Sequence, residues 1–252
     1  MYTIITGSNG MIGQNFANLL SINNFKLILL DINTENLIKK FSKNRNVIIR
    51  NLDVTKEKSW ETLVKFINKN NLKIDNLINN AGFTNHTNKK LFHNNFFKID
   101  KESMMKVFEV NFIGVALGCK YIGQEMIKRK YGSIVNIASM YSLQSPRHYI
   151  YKNTGIFCPV SYPASKSSVV SLTKYLGTLF AKDGVRVNSI SPGGLQDPTH
   201  KNLWLNRFSQ NNPTKRMGKA KELNSALLYL LDKNSSYTTA SNVVVDGGWT
   251  SW

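Results

Sequence analysis

At 252 residues and a formal net charge of +18, the chain has room for one sizeable core beneath a cationic surface. Its 42% hydrophobic and 11% aromatic content excludes a disordered polymer, and no apolar run is as long as a membrane span needs. The 33 basic residues are scattered, with no zinc-finger or RRM-type signature, which argues against nucleic acid as a partner. Asparagine is about twice as frequent as aspartate and glutamate together. A biased composition therefore accounts for the charge, and so does attraction for an anionic small substrate. Cys119 and Cys158 lie far apart and outside any CxxC pattern, which predicts reduced thiols, a cytoplasmic protein and no metal site. The chain runs from Met1 straight into strand-like residues, so no leader is expected and no membrane partner.

Short apolar runs alternate with longer amphipathic ones. Strands are predicted at Tyr2–Thr6, Lys26–Asp31, Val47–Asn51, Asn76–Asn79, Gly132–Ala138, Val185–Ser191 and Asn242–Val245. Helices are predicted at Ile12–Leu20, Thr34–Lys43, Lys56–Asn68, Lys101–Arg129, Tyr162–Asp183 and Ala220–Leu231. Right-handed crossovers then imply an α/β, Rossmann-like, doubly wound parallel sheet of about seven strands, with helices on both faces, in one domain spanning 1–252. Residues 83–98 and 142–160 break the rhythm where ligands bind in such sheets, and read as substrate loops or as surface insertions.

The first strand ends in "TGSNGMIG". Gly7, Gly10 and Gly13 allow a sharp turn, and Asn9, Met11 and Ile12 complete a helix start suited to a pyrophosphate. Asp31 ends the second strand, placed to accept hydrogen bonds from an adenosine ribose and to repel a 2′-phosphate, so NAD is expected over NADP. "LDVT" puts Asp53 and Val54 after the third strand, near an adenine. "NNAG" ends the fourth strand, where Asn80, Ala81 and Gly82 permit close approach to a ribose.

In "VSYPASKSS", Ser161 is a plausible N-cap and Pro163 suits a first helical turn. Tyr162 and Lys166 are then one turn apart on one face, a spacing that a solvated surface would also produce. As a working pair, the ammonium would favour phenolate and bring the phenol toward neutral pH as an acid/base. Lys166 would also hold a nicotinamide ribose. "GSIVNIAS" ends in Ser139, whose hydroxyl can bond a reacting oxygen. Asn111 stands inside a helix, where an amide is a poor helix former; its expected use is to bend the helix and hold a proton-relaying water near Lys166.

Together with "RVNSISPGG" and "VVVDGGW", these residues resemble the short-chain dehydrogenases/reductases over essentially the whole chain. The resemblance implies a Ser139–Tyr162–Lys166–Asn111 tetrad, NAD(P) binding with Pro192 and Gly193 near the nicotinamide, and interconversion of a secondary alcohol and a ketone. It also implies a homo-oligomer, tetramer or dimer, with the helix bearing Val169, Leu172, Leu176 and Leu179 and the terminal "GGWTSW" as contact candidates. Three features depart from the family pattern. The glycine spacing is that of nucleotide-sugar members, Ser139 and Tyr162 are separated by 22 residues, a longer gap than usual, and Ala240 replaces a common glycine. The long loops resemble those of members linked to bacterial surface-polysaccharide or flagellin-glycan synthesis, which suggests a sugar or sugar derivative as substrate. A nucleotide-sugar epimerase or dehydratase, and a non-catalytic NAD(P) sensor, are the competing readings.

Overall fold

The computed structural model describes residues 1–84, 96–154, 157–197 and 202–252. Seven strands form one parallel sheet in the order β3-β2-β1-β4-β5-β6-β7. They are β1 Tyr2–Thr6, β2 Lys26–Asp31, β3 Val47–Asn51, β4 Ile74–Asn79, β5 Gly132–Ile137, β6 Val185–Pro192 and β7 Asn242–Val245. The order reverses between β1 and β4, which opens a crevice at the carboxyl ends of the strands.

Strand alternation decides which helices cover which face. Ile4, Ile28 and Leu30 point to one side, where Trp60 and Leu63 of α3 (Glu57–Lys69), Ile122 of α5 (Gly114–Lys128) and Val169 of α6 (Ser161–Phe180) meet them. Ile5, Leu27 and Leu29 point to the other, against Phe16 and Leu20 of α1 (Met11–Ile22), Leu37 of α2 (Glu35–Phe41) and Leu227 of α8 (Asn224–Leu231). Both strand faces are buried, which is why these strands read as unbroken apolar runs. Among the described residues no helix is long and apolar enough to cross a membrane.

Three expectations change in detail. The helix foreseen over 101–129 is two helices, α4 (Lys101–Phe108) and α5, joined by a π-helical turn at Glu109–Ile113 centred on Asn111. Ser161 is not the N-cap of α6: it is already helical, Val160 holds that position, and no side chain caps the end. A further helix, α7 (Asn202–Asn211), follows β6 where none was foreseen; it buries only Trp204 and Phe208, too sparse a stripe to announce itself. A third cluster joins these two residues to Tyr141, Ile150, Tyr151 and Trp249. Trp249 is therefore core, whereas Trp252 is 57% exposed. Along α6, Val169 is buried but Leu179 is exposed, so that face is only partly core. Of the two irregular segments, 85–95 and 155–156 lie outside the described residues.

Candidate active site

A cavity of about 990 Å³ runs along the carboxyl ends of β1 to β6, across the point where the strand order reverses. At one end the glycine turn is held from several directions. Gly7 adopts φ +60° and lies so close to β4 that a Cβ on it would be 2.6 Å from Ala81 Cα. Asn80 Nδ2 donates to the carbonyls of Gly7 (2.9 Å) and Thr6 (3.1 Å), and the Thr6 hydroxyl accepts the amides of Asn80 and Ala81. Asp31 Oδ2 accepts the Asn9 amide at 2.9 Å. Several residues chosen for cofactor contact thus also build the turn that would make it. Gly10 caps α1 without a side-chain acceptor, so the first-turn amides are left to a ligand.

Gly7, Asn9, Met11, Ile12, Asp31, Asp53, Val54, Asn80, Ala81, Gly82, Pro192 and Gly193 all line this cavity. Gly13 does not. A Cβ there would fall 2.2 Å from the Gly7 carbonyl oxygen, so its role is to let α1 sit against the turn. Asp53 lines the wall, but its Oδ1 is bonded to the Thr55 amide and hydroxyl (2.9 and 2.7 Å).

At the opposite end, β5 delivers Ser139 in an extended conformation, with its Oγ accepting the Tyr141 amide at 3.1 Å. Tyr162 lines the same cavity as Ser139, so the 22-residue excursion between them loops out and returns. One turn along α6, Lys166 is buried and its Nζ donates to the Ile137 carbonyl at 2.7 Å. Asn111 is fully buried behind the cavity wall and does not line it. Its Oδ1 accepts the Phe83 amide (2.7 Å), and its Nδ2 donates to the Phe83 carbonyl and to Ser165 Oγ (both 3.1 Å). A Cβ built on Gly82 would lie 3.6 Å from Lys166 Nζ and 3.7 Å from Asn111 Oδ1, so the two side chains converge on that glycine from either side.

The electrostatics depart from the simple expectation of a lysine-lowered phenol. Burial pushes Tyr162 up to about 12, opposed by the Ser139 hydroxyl, and Lys166 does not lower it. Burial pulls Lys166 down to about 8. The ammonium is committed to the Ile137 carbonyl, and both groups lose hydration. The Ile137 acceptor was invisible in the sequence, because any backbone carbonyl at a strand end would serve. Lys106, Glu109, Leu195 and Asp197 also line the cavity and were missed. The first two read as ordinary surface charges on a helix ahead of Asn111, with no residue-type signal to separate them.

A switch-point cleft with a glycine turn at one end and a Ser–Tyr–Lys cluster at the other is the architecture of an NAD(P)-dependent enzyme that interconverts alcohols and ketones. Residues 7–250 match the family model described as enoyl-(acyl carrier protein) reductase. The chain belongs to the short-chain dehydrogenase/reductase family. It is 29% identical to an NAD-dependent glycerol dehydrogenase from Listeria innocua, covering 98% of this chain and 92% of that protein. It is 30% identical to a mitochondrial borneol dehydrogenase from Lavandula x intermedia, covering 97% and 88%. Its structure superposes on that of a short-chain dehydrogenase with bound NAD+ from Leptospira borgpetersenii serovar Hardjo-bovis. The TM-score is 0.89 at 27% identity, covering 99% and 92% of the two chains.

Proposed function

We propose that this protein is an NAD-dependent dehydrogenase/reductase of a sugar or sugar derivative, with Tyr162 as its acid/base. The observation that carries the reading is the meeting of Ser139, Tyr162 and buried Lys166 on one wall of the cleft. A dinucleotide fits the residues present. The Gly7 turn leaves no room for a side chain, the first-turn amides of α1 suit a pyrophosphate, and the Asp31 carboxylate lies at the adenosine end. That carboxylate favours a free ribose over a 2′-phosphate. Bound there, the cofactor supplies or accepts hydride at the substrate carbon.

This chain's own residues handle the proton. Ser139 Oγ hydrogen-bonds the substrate oxygen, and Tyr162 gives that oxygen a proton in reduction or takes one in oxidation. Lys166 and Tyr162 would touch the nicotinamide ribose. Asn111 acts as a positioning residue through the Phe83 and Gly82 backbone. The glycerol dehydrogenase relative supports a polyol-like substrate, and the positive net charge is compatible with an anionic one. Two free thiols suit a reducing, cytoplasmic setting, and exposed Tyr175 and Leu179 on α6 offer a face for a second copy.

The test is Tyr162→Phe, assayed by NADH absorbance on a panel of sugars, sugar acids and other ketones that the unmodified enzyme turns over. Turnover should fall by at least about a hundredfold, the usual worth of general acid/base catalysis, while NADH affinity stays within a factor of about two. Activity retained in the Phe variant removes the acid/base role.

A further inference from the structure

The excursion between Ser139 and Tyr162 makes contacts that catalysis by the tetrad does not require. Arg147, near its middle, donates from one guanidinium nitrogen to the Asn211 carbonyl at the end of α7 (3.3 Å) and from the other to the Trp252 main-chain oxygen (3.0 Å). Its guanidinium also lies 4.7 Å from the centre of the Trp249 ring. Tyr149 donates its hydroxyl to Asn211 Oδ1, and Arg207 of α7 returns a bond to the Lys152 carbonyl. The excursion is therefore stitched to α7 and to the C-terminal segment by four hydrogen bonds and one ring contact.

The stitching continues to the cleft. Trp249 stacks on Phe208 of α7 with centroids 4.4 Å apart and planes at 11°. Phe208 is fully buried and presses on Gly194 so closely that a Cβ there would be 2.2 Å from its ring. Gly194 follows Pro192 and Gly193 and precedes Leu195, all three of which line the cleft. On the other side Phe208 neighbours Trp204 (5.4 Å), and Trp204 neighbours Tyr151 (6.3 Å). Tyr151 pairs its hydroxyl with that of Tyr141 at 2.6 Å, and the Tyr141 amide is bonded to Ser139 Oγ. One continuous run of packed rings joins Arg147 to both the Pro192–Leu195 wall and the serine.

We propose that residues 142–154 of the excursion form a strap that fixes α7 behind the Pro192–Leu195 wall, with Arg147 as its central positioning residue, so that the strap sets how fast cofactor leaves the cleft. The proposal rests on the dehydrogenase reading only for the identity of the ligand. Chemically, a guanidinium is the side chain suited to the place: it can serve two carbonyls in one plane while stacking on an indole. Without it, α7 keeps Phe208 and Trp204 in the core and the Tyr149 bond to Asn211, but loses the guanidinium tie at its C-terminal carbonyl.

The experiment uses the full chain as Arg147→Ala and Arg147→Lys, with NADH as the probe. Two quantities are read: hydrogen exchange of the α7 amides, and the NADH dissociation rate by stopped-flow fluorescence. Arg147→Ala removes two hydrogen bonds of a charged group and a ring contact, and should speed both by at least about tenfold while exchange in α5 and α6 is unchanged. Arg147→Lys, able to reach one carbonyl but not to stack, should fall between. Tyr149→Phe, which removes a single tie, should shift both quantities in the same direction by a smaller factor, and it decides the matter if Arg147→Ala does not fold. Unchanged α7 exchange, exchange that rises uniformly through the protein, or faster exchange with an unaltered NADH rate each overturns the strap. Failure of the unmodified protein to bind NADH overturns the NAD assignment instead, and α7 exchange still tests the tie.

Discussion

The Asp31 carboxylate accepts two main-chain amides, Asn9 at 2.9 Å and Asn33 at 3.1 Å, and it also lines the cleft. Each amide uses a different carboxylate oxygen, that of Asn9 using Oδ2 and that of Asn33 using Oδ1. Asp31→Asn keeps one acceptor, for the Asn9 amide, gives up the exposed Asn33 bond and removes the negative charge that would oppose a 2′-phosphate. We expect the preference for NAD over NADP to narrow by about tenfold, as befits roughly 1.4 kcal/mol of charge repulsion at a partly solvated site. Affinities of both cofactors for the two proteins measure this, and an unmodified protein that already binds NADP more tightly defeats the assignment. Residues of this kind were legible because their type and spacing suffice: a carboxylate ending β2, a phenol and an amine one turn apart. Lys166 donating to Ile137, Asn80 bracing the glycine turn and Gly13 withdrawn from the cleft were not. Each depends on a backbone atom or a packing distance that any sequence could supply.

Among elements, the strands were the most legible, since a sheet covered on both faces demands continuous apolar runs, and six of the seven begin where expected. Helix termini and interruptions were harder. The π turn around Asn111 is written in one residue's poor fit to a helix, and α7 is held by two aromatic side chains whose partners lie elsewhere in the chain. Ala240, which replaces a glycine common in the family, is a further case. It takes φ +58° just before β7, and Gly177 of α6 packs on it so tightly that a Cβ there would be 2.6 Å from the Ala240 nitrogen. A left-handed conformation costs an L-residue about 1–2 kcal/mol, part of which a glycine returns as entropy of the unfolded chain. Ala240→Gly should therefore stabilise the protein by about 0.5–1 kcal/mol, read as a higher denaturant midpoint at unchanged slope. A lower midpoint would mean that the alanine methyl group contributes more by packing than its backbone costs.

For the molecule as a whole, the distribution of charge matters more than its sum. The net charge is +18, yet among the described residues the cleft is lined by four carboxylates, Asp31, Asp53, Glu109 and Asp197, against two amines, Lys106 and Lys166. The other cations of the described residues lie off its walls and act on a dinucleotide at long range, where the field guides approach but makes no contact. Such a field is screened over about 10 Å at 0.1 M salt and about 30 Å at 0.01 M. Raising ionic strength from the lower to the higher value should slow NADH association severalfold and leave its dissociation rate within a factor of about two. Stopped-flow binding at several salt concentrations separates the two rates. Association that does not respond to salt would mean the surplus lysines sit where the cleft does not sense them, and the high charge would then be a property of composition alone.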